Sequence, residues 1–346
     1  MSDDVILKVN DLHTYFFTES GQIRALSGVD FTLQRGEVLG IVGESGCGKS
    51  VTAQCIMNMV PNPGRIMGGS INYYKRANGQ VEEIDIINQH PRGRVMRSLR
   101  GNDIAMIFQE PMTSLDPVYT VGSQLLEAIT LHQDVTKVEA REVAIDALAK
   151  VHLPEPHRII DSYPHQLSGG QRQRVMIAIA LSCNPSLLIA DEPTTALDVT
   201  TQAQILDLMQ ELQEATGMSI IFITHDLGVV AEMCDSVAVM YLGKVVEKTD
   251  VDSAFYDPKH PYTQALLRSI PRMDEQKNSR LAVIKGNVPD PSVVPLGCPF
   301  HPRCPEYMPG ICNQVVPSMI ELDNDREVRC LLYDKNQVQT PQPVVV

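Results

Sequence analysis

Three runs along the chain are apolar at almost every position, and each stops abruptly: Val38 to Val42 before "GESGCGKS", "PSLLIA" before Asp191 and Glu192, and "SIIFIT" before His225. Apolar runs of about five residues bounded by turn or charge signals are the pattern of strands buried on both faces, as in a parallel sheet covered by helices. Two other stretches, "VGSQLLEAITLH" and "KVEAREVAIDALAKV", carry apolar residues at helical spacing and predict helices. Buried strands together with amphipathic helices predict an α/β fold. Between the first strand and these helices, "YYKRANGQVEEIDIINQHPRGRVMRSLRG" is long and polar, which predicts an extended hairpin followed by a surface loop. Near the C-terminus "GCPFHPRCPEYMPGIC" is proline-rich and weakly periodic, with too little apolar surface for a core of its own.

Composition narrows the class. With 346 residues and 43% hydrophobic content the chain can form one large or two modest domains without staples. The beginning, "MSDDVILKVN", has neither a basic nor an apolar leader region, and every apolar run is far shorter than the roughly 20 residues that span a bilayer. The chain is therefore expected to be cytoplasmic, touching a membrane only through protein partners. A formal charge of -13 argues against nucleic acid or anionic lipid as the main ligand, since both need broad Lys/Arg surfaces.

The strand at Val38–Val42, the glycine-rich turn and the following helical pattern are the setting of a phosphate loop. Gly43, Gly48, Lys49 and Ser50 fit G-x-x-x-x-G-K-[ST], with Gly46 inside it. Glycines let successive backbone N–H groups curl around β- and γ-phosphates, and the helix adds its positive end. Ser45, Gly46, Cys47, Gly48 and Val51 count with them as nucleotide-binding positions; Lys49 would neutralise phosphate charge and Ser50 would ligate Mg²⁺. Asp191 and Glu192 end the second strand, at the edge where open α/β sheets bind ligands. A lone Asp-Glu pair is more often a surface strand end, but with a phosphate loop upstream the two acquire separate work. Asp191 would hold Mg²⁺ through its water shell, and Glu192 would act as general base toward the attacking water. A lone His is more often structural than catalytic; His225, at the same edge, is a candidate contact for the γ-phosphate.

"YPHQLSGGQRQRVMIAIAL" adds a family resemblance. Ser168, Gly169, Gly170 and Gln171 open a helix, and with "LLIADEP" following they resemble the signature of ATP-binding-cassette ATPases. In that family two such domains pair head to tail around two ATP molecules, each signature completing the opposite site. The resemblance makes "MIFQEP" the Q-loop with Gln109 near Mg²⁺ and the γ-phosphate, "TALD" the D-loop with Asp198, and "THD" the switch with His225. "DLHTYFF" resembles the aromatic loop that stacks adenine, and spacing from Leu12 favours Phe16 over Tyr15. The implied architecture is a P-loop NTPase nucleotide-binding domain: a RecA-like core with an antiparallel β subdomain and a helical subdomain at about 112–174, within residues 1–250.

"IVGESGCGKS", "IAMIFQEPMTSLDPVYTVGSQ" and "HPYTQALLRSIP" are similar to the ATPase subunits of dipeptide/oligopeptide permeases and related nickel importers. The resemblance implies an extension at 251–332 and a tail at 333–346 expected to be disordered. It further implies two integral membrane permease subunits, a second, related ATPase subunit, and indirectly an extracytoplasmic solute-binding protein, with this chain at the cytoplasmic face. A soluble cassette ATPase of translation or DNA repair is the rival, against which stand the single cassette and the missing coiled-coil insertion.

Eight cysteines divide into two sets. Cys55, Cys183 and Cys234 sit in apolar contexts and read as small core residues. Cys47 lies beside Lys49 at a helix start, which predicts a lowered thiol pKa and inhibition by thiol reagents that bound ATP would prevent. Cys298, Cys304, Cys312 and Cys330 follow C-x5-C-x7-C-x17-C. Disulfides are disfavoured in a cytosol and zinc knuckles are absent, so the spacing points to a metal centre, an iron–sulfur cluster among the candidates. Permease ATPases of the resembled type include members with a four-iron four-sulfur cluster on four such cysteines, which implies the same ligand set here. A zinc-stabilised or solute-sensing segment is the alternative; His301 is a candidate substitute ligand, though such a histidine is more often a loop residue.

Overall fold

The three apolar runs form the middle of one sheet, and all five residues of each strand are buried. The computed structural model describes residues 4–19, 21–77, 79–109, 114–195, 197–269, 284–290, 292–323 and 326–334; most of the tail therefore lies outside the described residues. In chain order its strands are β1 (Val5–Thr18), β2 (Gly21–Gln34), β3 (Val38–Val42), β4 (Gly64–Ala77), β5 (Gln80–Asp85), β6 (Ile104–Ile107), β7 (Leu187–Asp191), β8 (Ser219–Ile223), β9 (Ser236–Tyr241), β10 (Lys244–Asp250), β11 (Ile320–Glu321) and β12 (Glu327–Val328). The larger sheet runs β11-β12-β10-β9-β3-β8-β7-β6. From β9 to β6 its neighbours are parallel, so these strands share one C-terminal edge.

A second, antiparallel sheet in the order β2-β1-β4-β5 lies over one face. Its strands alternate: on β2, Val29, Phe31 and Leu33 are buried while Asp30, Thr32 and Gln34 point outward. The polar stretch after the phosphate loop folds as the β4–β5 hairpin and the short helix Arg94–Leu99. One core lies between this sheet and β3, β7 and β8, around Leu7, Phe31, Ile41, Ile71, Ile189 and Ile221. Wholly buried Leu and Ile side chains of this kind contribute about 1.5–3 kcal/mol each.

The other face is covered by helices. Val121–His132, Lys137–Lys150 and Gly169–Leu181 share a core with Val199–Thr216 and the inner faces of β7 and β8. Their starts are locally encoded: Thr136 and Glu139 form a capping box, as do Ser168 and Gln171, and Thr120 caps the first of the group. Gly217, at φ 67°, ends Val199–Thr216 and turns the chain into β8.

The cysteine-rich segment solves its want of apolar surface by joining the cassette. Phe300, Cys298, Cys312 and Leu331 are buried with Val239, Tyr241 and Val246 of β9 and β10 and with Tyr262 of the helix Pro261–Arg268. Tyr241, Tyr262 and Phe300 meet with ring centroids 4.7 to 5.4 Å apart, tilted or edge to face, the arrangement aromatic quadrupoles favour. Strand β12 extends the main sheet by pairing with β10 at Glu247 and Lys248. Arginines complete the attachment: Arg329 reaches Asp30 at 2.9 Å and the Val245 carbonyl at 3.1 Å, and Arg326 reaches Asp257 at 2.9 Å.

His260 is the hinge of this attachment. Its Nδ1 accepts the Tyr262 N–H at 3.0 Å, which places the ring proton on Nε2, and its own N–H donates to buried Glu247 at 2.9 Å. Burial keeps the ring neutral, with its pKa pushed down to about 3. An unfolded chain would protonate this ring near pH 6.5, so between the two values unfolding takes up a proton and stability falls as pH drops. The loss from this ring reaches about 1.4 kcal/mol per pH unit below about 6.5. Urea-unfolding midpoints should therefore fall more steeply from about pH 7 to about pH 5.5 for the wild-type chain than for His260→Gln. Parallel decreases in the two proteins would contradict it.

Candidate functional site

The candidate site lies along the shared C-terminal edge. At the end of β3 the backbone turns through Gly43, at φ 151°, where an added Cβ would stand 2.2 Å from the Met240 carbonyl oxygen of β9. Gly48, at φ 108°, caps the helix Lys49–Ile56, and a Cβ there would meet the Ala25 carbonyl at 2.7 Å. Both glycines are thus required by close backbone approach. Ser45 and Gly46 are exposed at the tip, whereas Val51, on the helix, packs against the core between the two sheets. Lys49 is only 7% exposed, and its ammonium donates to the Gly43 carbonyl at 2.8 Å and the Glu44 carbonyl at 3.4 Å. A buried ammonium satisfied by the loop's own carbonyls can exchange them for the more strongly charged oxygens of a phosphate.

Ser50 Oγ donates to Asp191 Oδ1 at 3.0 Å, joining the helix start to the end of β7. Burial raises the Asp191 pKa, and neighbouring Glu192 adds to the rise; the Ser50 hydrogen bond and the Lys49 charge oppose it. A hydroxyl and a carboxylate side by side are hard oxygen donors of the kind Mg²⁺ takes, and a cation would relieve the cost of burying the charged carboxylate.

One residue further, Glu192 is the meeting point of three elements. It stands at φ 48°, an uncommon backbone for a residue with a side chain, fixed by its N–H donating to the Ile223 carbonyl at 2.9 Å. Its Oε2 accepts from Gln109 Nε2 at 3.1 Å and from the Thr195 hydroxyl at 2.9 Å, while His225 Nδ1 lies 3.4 Å from Oε1. Gln109 follows β6 and His225 follows β8, so separate strand ends deliver one constellation. The Glu192 side chain is 15% exposed and the His225 ring 68% exposed, which leaves the imidazole open to an incoming ligand. Thr195 was missed by the sequence reading; its place in "DEPTT", three residues after the carboxylate it orients, was the available signal.

The remaining candidates are spread around this centre. Phe16, on β1, is half-buried; a Cβ on Gly64 would meet its ring at 2.7 Å. Neighbouring Tyr15 is engaged by Arg24, 5.9 Å above its ring, and edge-on by His13. Asp198 caps Val199–Thr216 through the Thr201 N–H at 3.0 Å, and its hydrogen bonds to Thr201 hold its pKa down. Ser168 and Gln171 turn their polar groups onto each other's backbone at the start of Gly169–Leu181. Gly170 leaves room there for the Thr201 side chain, and Gly169 faces Leu197, so the start of this helix lies beside the start of Val199–Thr216.

The expectation of a reactive Cys47 is corrected. The thiol is 3% exposed, and burial raises its pKa; the Lys49 charge lowers it, but less than burial raises it. Local sequence suggested an activating helix start, whereas packing beneath Gly43 removes the thiol from water.

Cys298, Cys312 and Cys330 are buried and Cys304 is half-buried; all eight cysteines are free thiols. The loop is drawn together by Cys298 N–H donating to the Cys312 carbonyl at 2.8 Å, and the Met308 N–H reaches Cys312 Sγ at 3.4 Å. Burial above all, with the charges of neighbouring cysteines adding to it, pushes the Cys304 thiol up to about 11 and Cys330 up to about 12. The four thiols are thus near enough to feel one another's charge. Among the described residues, however, no group of three or more His, Cys, Asp or Glu is arranged to hold a metal ion. His301 opens the 3-10 turn His301–Arg303, its Nδ1 2.9 Å from the Cys298 carbonyl oxygen.

With this geometry in hand, comparisons place the chain among known proteins. The pattern of the ABC transporter family matches residues 26–195, and that of the oligopeptide/dipeptide transporter C-terminal region matches residues 246–312. The oligopeptide transport ATP-binding protein AppD of Bacillus subtilis (strain 168) is 50% identical, over 95% of this chain and 97% of that protein. The dipeptide transport ATP-binding protein DppD of Escherichia coli (strain K12) is 48% identical, over 94% and 96%. Among solved structures, a dimeric post-hydrolysis state of the ATP-binding cassette MJ0796 bound to ADP and Pi matches with TM-score 0.61 and 27% identity, covering 71% of this chain and 99% of that one.

Proposed function

The chain belongs to the ABC transporter ATPases, in the oligopeptide/dipeptide group, and from that membership we propose how its residues power import of peptides or similar small solutes. The observation that carries the reading is the convergence of Gln109, Thr195 and His225 on Glu192, beside the Ser50–Asp191 pair and the Lys49 loop. ATP binds with its phosphates in the loop Gly43–Ser50, its adenine against Phe16, and its γ-phosphate facing Glu192. Ser50 and Asp191, with Gln109 nearby, would hold Mg²⁺, which supplies charge neutralisation for the leaving phosphates.

Glu192 then takes a proton from the attacking water. Thr195 and Gln109 fix the carboxylate, and His225 donates toward the γ-phosphate oxygens. Ser168–Gln171 close over the nucleotide of a second, related ATPase subunit, and Asp198 lies at that junction. Among the described residues no helix is long and apolar enough to cross a membrane. The chain acts at the cytoplasmic face, docked through its helical subdomain onto two integral permease subunits that a solute-binding protein supplies. Residues 1–250 form the ATPase domain and 251–332 the extension.

We further infer that Cys298, Cys304, Cys312 and Cys330 hold a four-iron four-sulfur cluster. The donor set supports this: burial and the charges of neighbouring cysteines resist ionisation of Cys298, Cys304 and Cys330, and a multiply charged metal centre is what would stabilise them as thiolates. The separation in the structure means the loop must tighten around such a group.

Two experiments test these readings. Glu192→Gln should bind ATP while hydrolysing it at least about a hundredfold more slowly, measured as phosphate release with the partner subunits present; wild-type turnover would refute the general base. Protein purified without oxygen should contain about four irons and four acid-labile sulfides per chain, lost in Cys304→Ser. Zinc, or no metal, would remove the cluster.

A further inference from the structure

Glu44 puts a carboxylate inside a loop built to hold polyphosphate, and such a charge repels the ligand unless it is neutralised. The structure neutralises it from the far end of the chain. Arg303 Nη1 donates to Glu44 Oε2 at 2.7 Å and Nη2 to Oε1 at 3.0 Å, a two-pronged pair across 259 positions in sequence. The Arg303 side chain is only 4% exposed, with its guanidinium 5.9 Å from the centre of the Tyr241 ring. On the backbone side, the Glu44 N–H donates to the Tyr262 hydroxyl at 2.9 Å. The partners of the Glu44 carboxylate and of its N–H therefore both belong to the extension. The 3-10 turn His301–Arg303 that carries the guanidinium is strung between Cys298 and Cys304, so whatever fixes those cysteines fixes Arg303.

We propose that Arg303 and Tyr262 are positioning residues of the nucleotide site: Arg303 cancels the Glu44 charge and, with Tyr262, braces the phosphate loop in its binding shape. The extension thereby sets nucleotide affinity from outside the ATPase core. Neither residue touches the nucleotide; both act through Glu44. A planar guanidinium suits the task because its fork matches both carboxylate oxygens, which a lysine ammonium cannot do. The inference rests on the loop being an ATP site.

The test is Mg–ATP binding and steady-state hydrolysis by the full chain, comparing wild type, Arg303→Met, Glu44→Gln, the double variant and Tyr262→Phe. Arg303→Met should weaken ATP about tenfold, the effect of an uncompensated carboxylate beside the phosphates, and the loss should fall on KM more than on kcat. Adding Glu44→Gln to Arg303→Met should recover most of the affinity, because the repelling charge is gone. A merely structural role would show the reverse, a lowered melting temperature with unchanged affinity, or a double variant worse than either single one; either result overturns the proposal. Tyr262→Phe removes one hydroxyl and keeps the packing, so it decides the matter if Arg303→Met fails to fold: weaker ATP binding supports the brace, and unchanged binding overturns it. If the wild-type chain binds no ATP, the nucleotide reading falls as well, which separates that failure from the failure of the brace alone.

Discussion

Between Val42 and Lys49 the backbone runs closer to β9 and to β2 than a chain bearing a Cβ could, and the nucleotide site depends on that approach. With Gly43 against the Met240 carbonyl and Gly48 against Ala25, the turn is pressed into the notch between the two sheets. The helix Lys49–Ile56 then starts beside the end of β7, where Ser50 can meet Asp191. The parallel run of β9, β3, β8, β7 and β6 brings Glu192, His225 and Gln109 to the same edge. Close backbone approach and parallel strand order together make the site, and the polar side chains occupy places those two constraints define.

The same edge explains why the extension is more than an appendage. Its apolar residues fill a third core over β9 and β10, and its arginines reach buried or half-buried carbonyls and carboxylates of the cassette. Strand β9 thus faces the phosphate loop through Met240 and the extension through Tyr241. Beyond the end of the strand the two neighbours also meet directly, through Arg303 and Tyr262 on Glu44.

Much of this was legible in the sequence where the cue was local. Continuous apolar strands announced the parallel sheet, the glycine spacing announced the phosphate loop, and the segment Ser168 to Gln171 announced a helix start. Glu192 and His225 were legible because strand ends in such folds point to the ligand side. What escaped depends on distant partners. The Cys47 thiol was misread since its environment comes from Gly43 and the loop folding over it. Arg303 and Glu44 are unremarkable apart, and nothing between them in the chain signals a pair. "HPYT" was recognised as a family phrase, yet its physical content, a buried neutral His260 and a Tyr262 hydroxyl on the phosphate loop, emerges only from packing.

The central claim is that this edge is a Mg–ATP site built around Lys49, and calorimetric titration of Mg–ATP into the wild-type chain and Lys49→Ala tests it most directly. The account predicts saturable binding of one nucleotide per chain that requires Mg²⁺ and weakens about a hundredfold or more in the variant. Equal binding by both proteins, or none by the wild type, would contradict it.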